Sequence, residues 1–234
     1  MFLAIIIRFF AGQVWSDGFN RALHFPKEAS VNNYVMLTPD FSLIKDELSV
    51  CSWMKIIDDP SATYPWFSYV IQKSDKTILL RRNSYVFYTT KGKSHFSNDI
   101  KFMTNEWYHY CMTWKSGALD VYINGIKIRT TGNAPTGAII KGGILMLGQE
   151  QDNNPGGGFK KNEWFLGEIY NLNVFKKKLS VAEAAGVFYN GTCANIARPL
   201  SYDILLSWGD IMKTKRNGSV IVVDAGCDAC QRVF

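Results

Sequence analysis

Residues 109–116 read HYCMTWKS, an unbroken run of aromatic, sulfur-containing and hydroxyl side chains ending in lysine and serine. In an extended chain, His109, Cys111 and Thr113 fall on one face and Tyr110, Met112 and Trp114 on the other. Two such faces build a core rather than a catalytic centre. His109 is a poor candidate for a base or metal ligand. The chain has only His24 and His95 besides, and neither lies near it in sequence.

Segments of the same kind recur between turn signals. They are NYVML (33–37), ELSVCSWMKI (47–56), WYHYCMTW (107–114), LDVYING (119–125) and LGEIYNLNVF (166–175). In the last, Leu166, Tyr170, Leu172 and Val174 share one face, which Glu168 interrupts. Ile169 and Phe175 share the other with Asn171 and Asn173. Tyr122 to Lys127 carries Asn124-Gly125, the two positive-φ residues of a type I′ hairpin turn. Ser180-Val181-Ala182-Glu183 is a capping box that opens a helix stopped by Gly191. Many strands, one short helix and no βαβ rhythm predict an all-β fold, a two-sheet antiparallel sandwich. No repeat, heptad or low-complexity linker divides it.

The chain of 234 residues is 47% hydrophobic, enough to fill a core and to exclude disorder. Its net charge of +6 favours anionic partners, or is simply a solvated basic surface. No apolar run reaches the ~18 residues of a membrane span. Residues 1–16, MFLAIIIRFFAGQVWS, are mostly apolar, free of acids and broken by Arg8. They read as a secretory signal peptide ahead of one domain over 17–234, or else as a buried first strand. Secretion agrees with sequons at Asn190 and Asn217. It agrees also with five cysteines, Cys51, Cys111, Cys193, Cys227 and Cys230, whose odd number leaves one unpaired or intermolecular.

HYCMTWKS fits H-x-C-x-[ST]-W-x-[ST] at every specified position, and so resembles the signature of the pentraxin family. The likeness covers nearly all of the chain after the signal. It runs through HFPKEASVNNYVML (24–37), FSYVIQKSDKTILL (67–80), GQEQD (148–152), LSVAEAAGVFYNG (179–191) and SWGD (207–210), the last resembling a closing Trp-containing strand. The resemblance implies a jelly-roll sandwich of the concanavalin/laminin-G type, often assembled into a flat ring of five. It implies a Cys51–Cys111 disulfide, closing a loop of about 60 residues worth roughly 4 kcal/mol. By likeness to some members, Cys193 pairs with Cys227 or Cys230. A Cys-x-x-Cys metal or redox site at 227–230 lacks a second ligand pair.

The resemblance also implies two adjacent calcium ions on one face, which in turn bind an anionic group such as phosphate. Each ion needs about six to eight hard oxygen ligands. Asp75, Glu150 and Asp152 match the family's acids, Gln151 offers its backbone carbonyl, and Glu163 stands where the family often has glutamine. Lys76 replaces an asparagine and Lys160 a glutamate. A lysine head neutralises the acids without metal and repels an incoming divalent ion. One weak calcium site rather than two is therefore expected. Arg81-Arg82, Lys91 and Lys93 make the neighbouring pocket cationic, or are edge-strand charges that block aggregation. A cationic pocket favours phosphates, sulfated or carboxylated glycans, lipopolysaccharide or nucleic acid, with Lys76, Arg81 and Lys160 as candidate ligand contacts.

The sequence thus reads as a secreted recognition lectin that gains avidity as a homo-oligomer. The alternative is a calcium-independent adhesion or protein-interaction module. An enzyme is not expected. Glu150 and Asp152 share one loop, no E-x-D-x-x-E, G-x-S-x-G or H-E-x-x-H is present, and NPGGG (154–158) precedes no helix.

Overall fold

Cys51 and Cys111 lie directly opposite each other on two neighbouring antiparallel strands and are joined by a disulfide. This pair is the centre of a fold seen in a computed structural model, which describes residues 20–28, 30–57, 64–71, 77–97, 102–139, 142–152, 154–190 and 203–226. The expected signal peptide, Asp75, Lys76, Cys193, Cys227 and Cys230 lie outside the described residues.

In chain order the first strands are β1 (Arg21–Phe25), β2 (Tyr34–Leu37), β3 (Glu47–Ile56), β4 (Pro65–Val70) and β5 (Ile78–Arg81). Next come β6 (Ser84–Thr89), β7 (Gly92–Ser97), β8 (Trp107–Lys115), β9 (Ala118–Ile123) and β10 (Ile126–Thr131). The last are β11 (Ile144–Leu147), β12 (Gly167–Phe175), β13 (Ile204–Leu206), β14 (Arg216–Asn217) and β15 (Ile221–Asp224). They form two antiparallel sheets. One runs β10-β9-β8-β3-β12-β1-β15, with β13 also paired to β12, and the other runs β14-β2-β11-β4-β5-β6-β7. This is the jelly-roll sandwich the sequence predicts.

The core lies between the sheets. Val50, Tyr110, Met112, Trp114, Ile169 and Val174 of the first sheet are buried in one cluster with Val35, Phe67, Leu80, Phe87 and Leu147 of the second. Each such side chain contributes on the order of 2 kcal/mol by leaving water. The outer face of the first sheet is covered as well. There Cys51, Cys111, Tyr122 and Phe175 pack with Ala184 and Val187 of the helix α1 (Val181–Asn190). That helix begins as its capping box dictates: the Ser180 hydroxyl accepts from the Glu183 N–H, and the Glu183 carboxylate accepts from the Ser180 N–H. The hairpin turn also forms as expected, with Asn124 at φ 49° and Gly125 at φ 76°.

The structure departs from the expected pattern at two places. Strict alternation grouped Tyr170 with Leu172 and Val174. In the structure the β12–β3 register shifts between Tyr170 and Asn173, and Asn171 adopts φ 50°. This bulge inserts one extra residue and flips the phase. Ile169, paired with Met54, then shares the inner face with Val174, paired with Val50, while Tyr170 pairs with Trp53 and Asn173 with Cys51 on the outer face. Ser207–Asp210, likened to a closing Trp-containing strand, is instead the start of a second helix, α2 (Trp208–Lys213). Ser207 and Asp210 form a reciprocal capping box. The Trp208 indole donates to the Arg21 carbonyl at 3.2 Å and its ring meets Tyr170 edge-on.

Candidate functional site

Beyond β11 the chain turns at Gly148, which has φ 90°. A Cβ there would stand 2.2 Å from the Phe25 ring, so only glycine lets the next residues cross so close to β1. The segment that follows is fixed by its two glutamines. The Gln149 amide donates to the carbonyls of Ser30 and Asn33 at 2.9 and 3.1 Å. The Gln151 amide donates to the carbonyls of Ser68 and Ile144, and its oxygen accepts from the Gly156 N–H at 2.6 Å. The Gln151 side chain is thus held to the protein through both its nitrogen and its oxygen.

Glu150 and Asp152 alternate with these anchors. The chain then makes a loop and returns, the Glu150 N–H donating to the Glu163 carbonyl at 3.1 Å and Gln149 bridging Trp164. Inside the loop, Gly158 has φ 74° and passes so close to Asp152 that a Cβ would be 2.5 Å from its carbonyl oxygen. Phe159 is anchored on the Tyr34 ring at 5.3 Å. This closure brings Glu163 back to the pair: carboxylate oxygens of Glu150, Asp152 and Glu163 lie within 4.8 Å of one another. Three hard oxygen donors this close can hold a metal ion, and their chemistry fits calcium.

Two cations have already entered the cluster. The Glu150 side chain has no exposed surface, and Arg81, at the end of β5, donates to its Oε2 from Nε at 2.9 Å and also from Nη2. Lys160 pairs with Asp152. Arg81, expected to face a ligand, is thus tied to a carboxylate of the expected metal set.

The other cations are scattered. Arg82 lies over the Tyr64 ring at 5.2 Å. Lys91 lies in the turn before β7 and Lys93 on β7, the edge of its sheet and two strands from β5, a position that fits edge-strand charges. Of the sequon asparagines, Asn190 ends α1 and Asn217 lies on the edge strand β14, and both are half-buried. Sequence reasoning missed the Arg81–Glu150 pair, whose members are 69 residues apart. It missed also the anchoring by Gln149 and Ser68, which no linear signal marks.

The chain matches the family model described as the Pentaxin family over residues 21–222. It is 30% identical over 195 residues to C-reactive protein of Sus scrofa, covering 81% of this chain and 85% of that protein. It is 30% identical over 203 residues to serum amyloid P-component of Bos taurus, covering 85% and 84%. Its match to the pentraxin fusion protein of Xenopus laevis is 28% identical and spans 41% of that longer protein. Among solved structures, the native heptameric SAP-like pentraxin from Limulus polyphemus superposes with a TM-score of 0.68 at 22% identity. The superposition covers 89% of this chain and 97% of that one, which shows the same fold.

Proposed function

The chain belongs to the pentraxin family, and on that footing we propose that it is a secreted recognition lectin with weakened calcium dependence. Its targets are anionic, phosphorylated or glycan groups on microbial or damaged-cell surfaces. The observation that carries this reading is the convergence of Glu150, Asp152 and Glu163 on one loop. Asp75 and the Gln151 carbonyl complete the proposed metal set. Bound calcium supplies a localised positive charge with exchangeable oxygen positions. Around it, Lys160, Lys76 and Arg81 attract and orient the anion, aided by the net charge of +6. Calcium binding is weak chiefly because Arg81 holds the buried Glu150, with a smaller contribution from Lys160 at Asp152.

The Cys51–Cys111 disulfide supports an oxidising, extracellular setting, with Cys193 paired to Cys227 or Cys230 and glycans at Asn190 and Asn217. The heptameric relative supports assembly into a ring of like chains, in which modest single-site affinity becomes avidity. The same two ion pairs favour a second reading, a module that recognises protein or anionic partners with no calcium.

Calorimetric titration of the calcium-stripped protein separates these readings. The expected result is one site with a Kd on the order of 10⁻⁴ to 10⁻³ M and a melt raised by calcium. No heat and no shift at ten millimolar calcium would sink the calcium reading in favour of the second one. Probes such as glucose 6-sulfate would then be screened in chelator.

A further inference from the structure

Arg81 and Lys160 hold their carboxylates in different ways. Lys160 is 62% exposed and Asp152 16%, a pair at the surface on a long flexible stem. Such pairs hold weakly and exchange readily. Arg81 is 19% exposed, Glu150 is fully buried, and two guanidinium nitrogens converge on one oxygen. A buried carboxylate without a counter-charge is strongly unfavourable, and guanidinium charge is permanent.

We propose that Arg81 is an internal counter-cation that competes with a divalent ion for Glu150, so that binding the metal and releasing Arg81 are one event. This rests on the calcium reading above. A divalent ion bound to the Glu150 oxygens would stand within a few ångströms of the guanidinium, and the two positive charges repel in a site of low dielectric. Arg81 lies at the end of β5 and its side chain is already partly exposed, so a change of rotamer can carry its head toward solvent. Once released beside the ion, the guanidinium is a bidentate donor for phosphate, sulfate or carboxylate. Arg81 thereby becomes a ligand residue only in the metal-bound state. An anion that captures it raises metal affinity by the same factor that metal raises the anion's.

The test compares wild type, Arg81→Gln, Lys160→Gln and the double variant Arg81→Gln/Glu150→Gln. Calcium affinity is read by calorimetry and metal-free stability by melting in chelator. Arg81→Gln should bind calcium about tenfold tighter or more, melt roughly 5 °C or more lower without metal, and recover with calcium. Lys160→Gln should change affinity by about threefold or less. The double variant should regain the metal-free melt and lose the calcium response, which serves as the control for folding. Wild-type affinity in Arg81→Gln would overturn the competition and leave the calcium reading standing. No binding by either protein would remove both. Should Arg81→Gln not fold in chelator, it is refolded in calcium. Failure there, with the double variant folding, also overturns the proposal.

Discussion

His109 is fixed between the Trp53 and Phe188 rings, at centroid separations of 5.4 and 5.7 Å. Its Nδ1 has no hydrogen-bond partner among the described residues. Burial pushes its pKa down from the ordinary value of 6.5 to about 3. The unfolded chain therefore binds a proton below pH 6.5 that the folded chain refuses until about pH 3. The resulting stability is complete above pH 6.5 and is lost as pH falls through that window. Between pH 6.5 and 4 the loss is roughly 3 kcal/mol. His109→Phe keeps the ring contacts, so denaturant unfolding of that variant should show a much flatter pH profile from 6.5 to 4. An unchanged profile would assign the acid sensitivity elsewhere. The sequence already disfavoured His109 as a ligand because no second histidine stood near it. Its place between two rings required the tertiary contact with α1.

At the scale of elements, local chemistry was legible where the signal is short-range. The capping box at Ser180 and the Asn124-Gly125 turn form as read, because each satisfies backbone groups within a few residues of itself. The bulge at Asn171 was hidden. An asparagine at positive φ looks like any other asparagine in a strand, and the shift is defined only against the partner β3. The loop of 152–163 depends on Gly158 in the same way. Gly158→Ala would put a Cβ 2.5 Å from the Asp152 carbonyl at φ 74°, and the backbone must move. Calcium affinity, measured by calorimetry, should fall about tenfold, with a loss of stability of only ~1 kcal/mol because the loop lies outside the core. A wild-type isotherm would mean that Asp152 is not a ligand.

For the whole molecule, the disulfide joins residues separated by 60 positions across β3 and β8. In the chain-entropy model it contributes roughly 4 kcal/mol, a large share of the ~5–15 kcal/mol by which domains are stable. Cys51→Ala/Cys111→Ala should lower the unfolding free energy by about that amount while keeping the sheet register, which the Val50–Met112 and Leu48–Trp114 pairs also fix. Chemical denaturation together with circular dichroism checks both points. A loss below ~1 kcal/mol would show that the unfolded chain is already compact around these strands.

The sequence by itself determined the strands around Cys51 and Cys111, the pairing of those cysteines through a family resemblance, the first helix, and the acids that surround the candidate site. These follow from local alternation, caps and turns, or from a signature carried in eight consecutive residues. Only the tertiary structure decided the phase of β12, the helix at Trp208, and which cation meets which carboxylate. Residues 81 and 150 are far apart along the chain, and their encounter depends on where β5 ends relative to the turn after β11. No local rule encodes that distance. The charges of a site can be counted from sequence, but their pairing belongs to the fold.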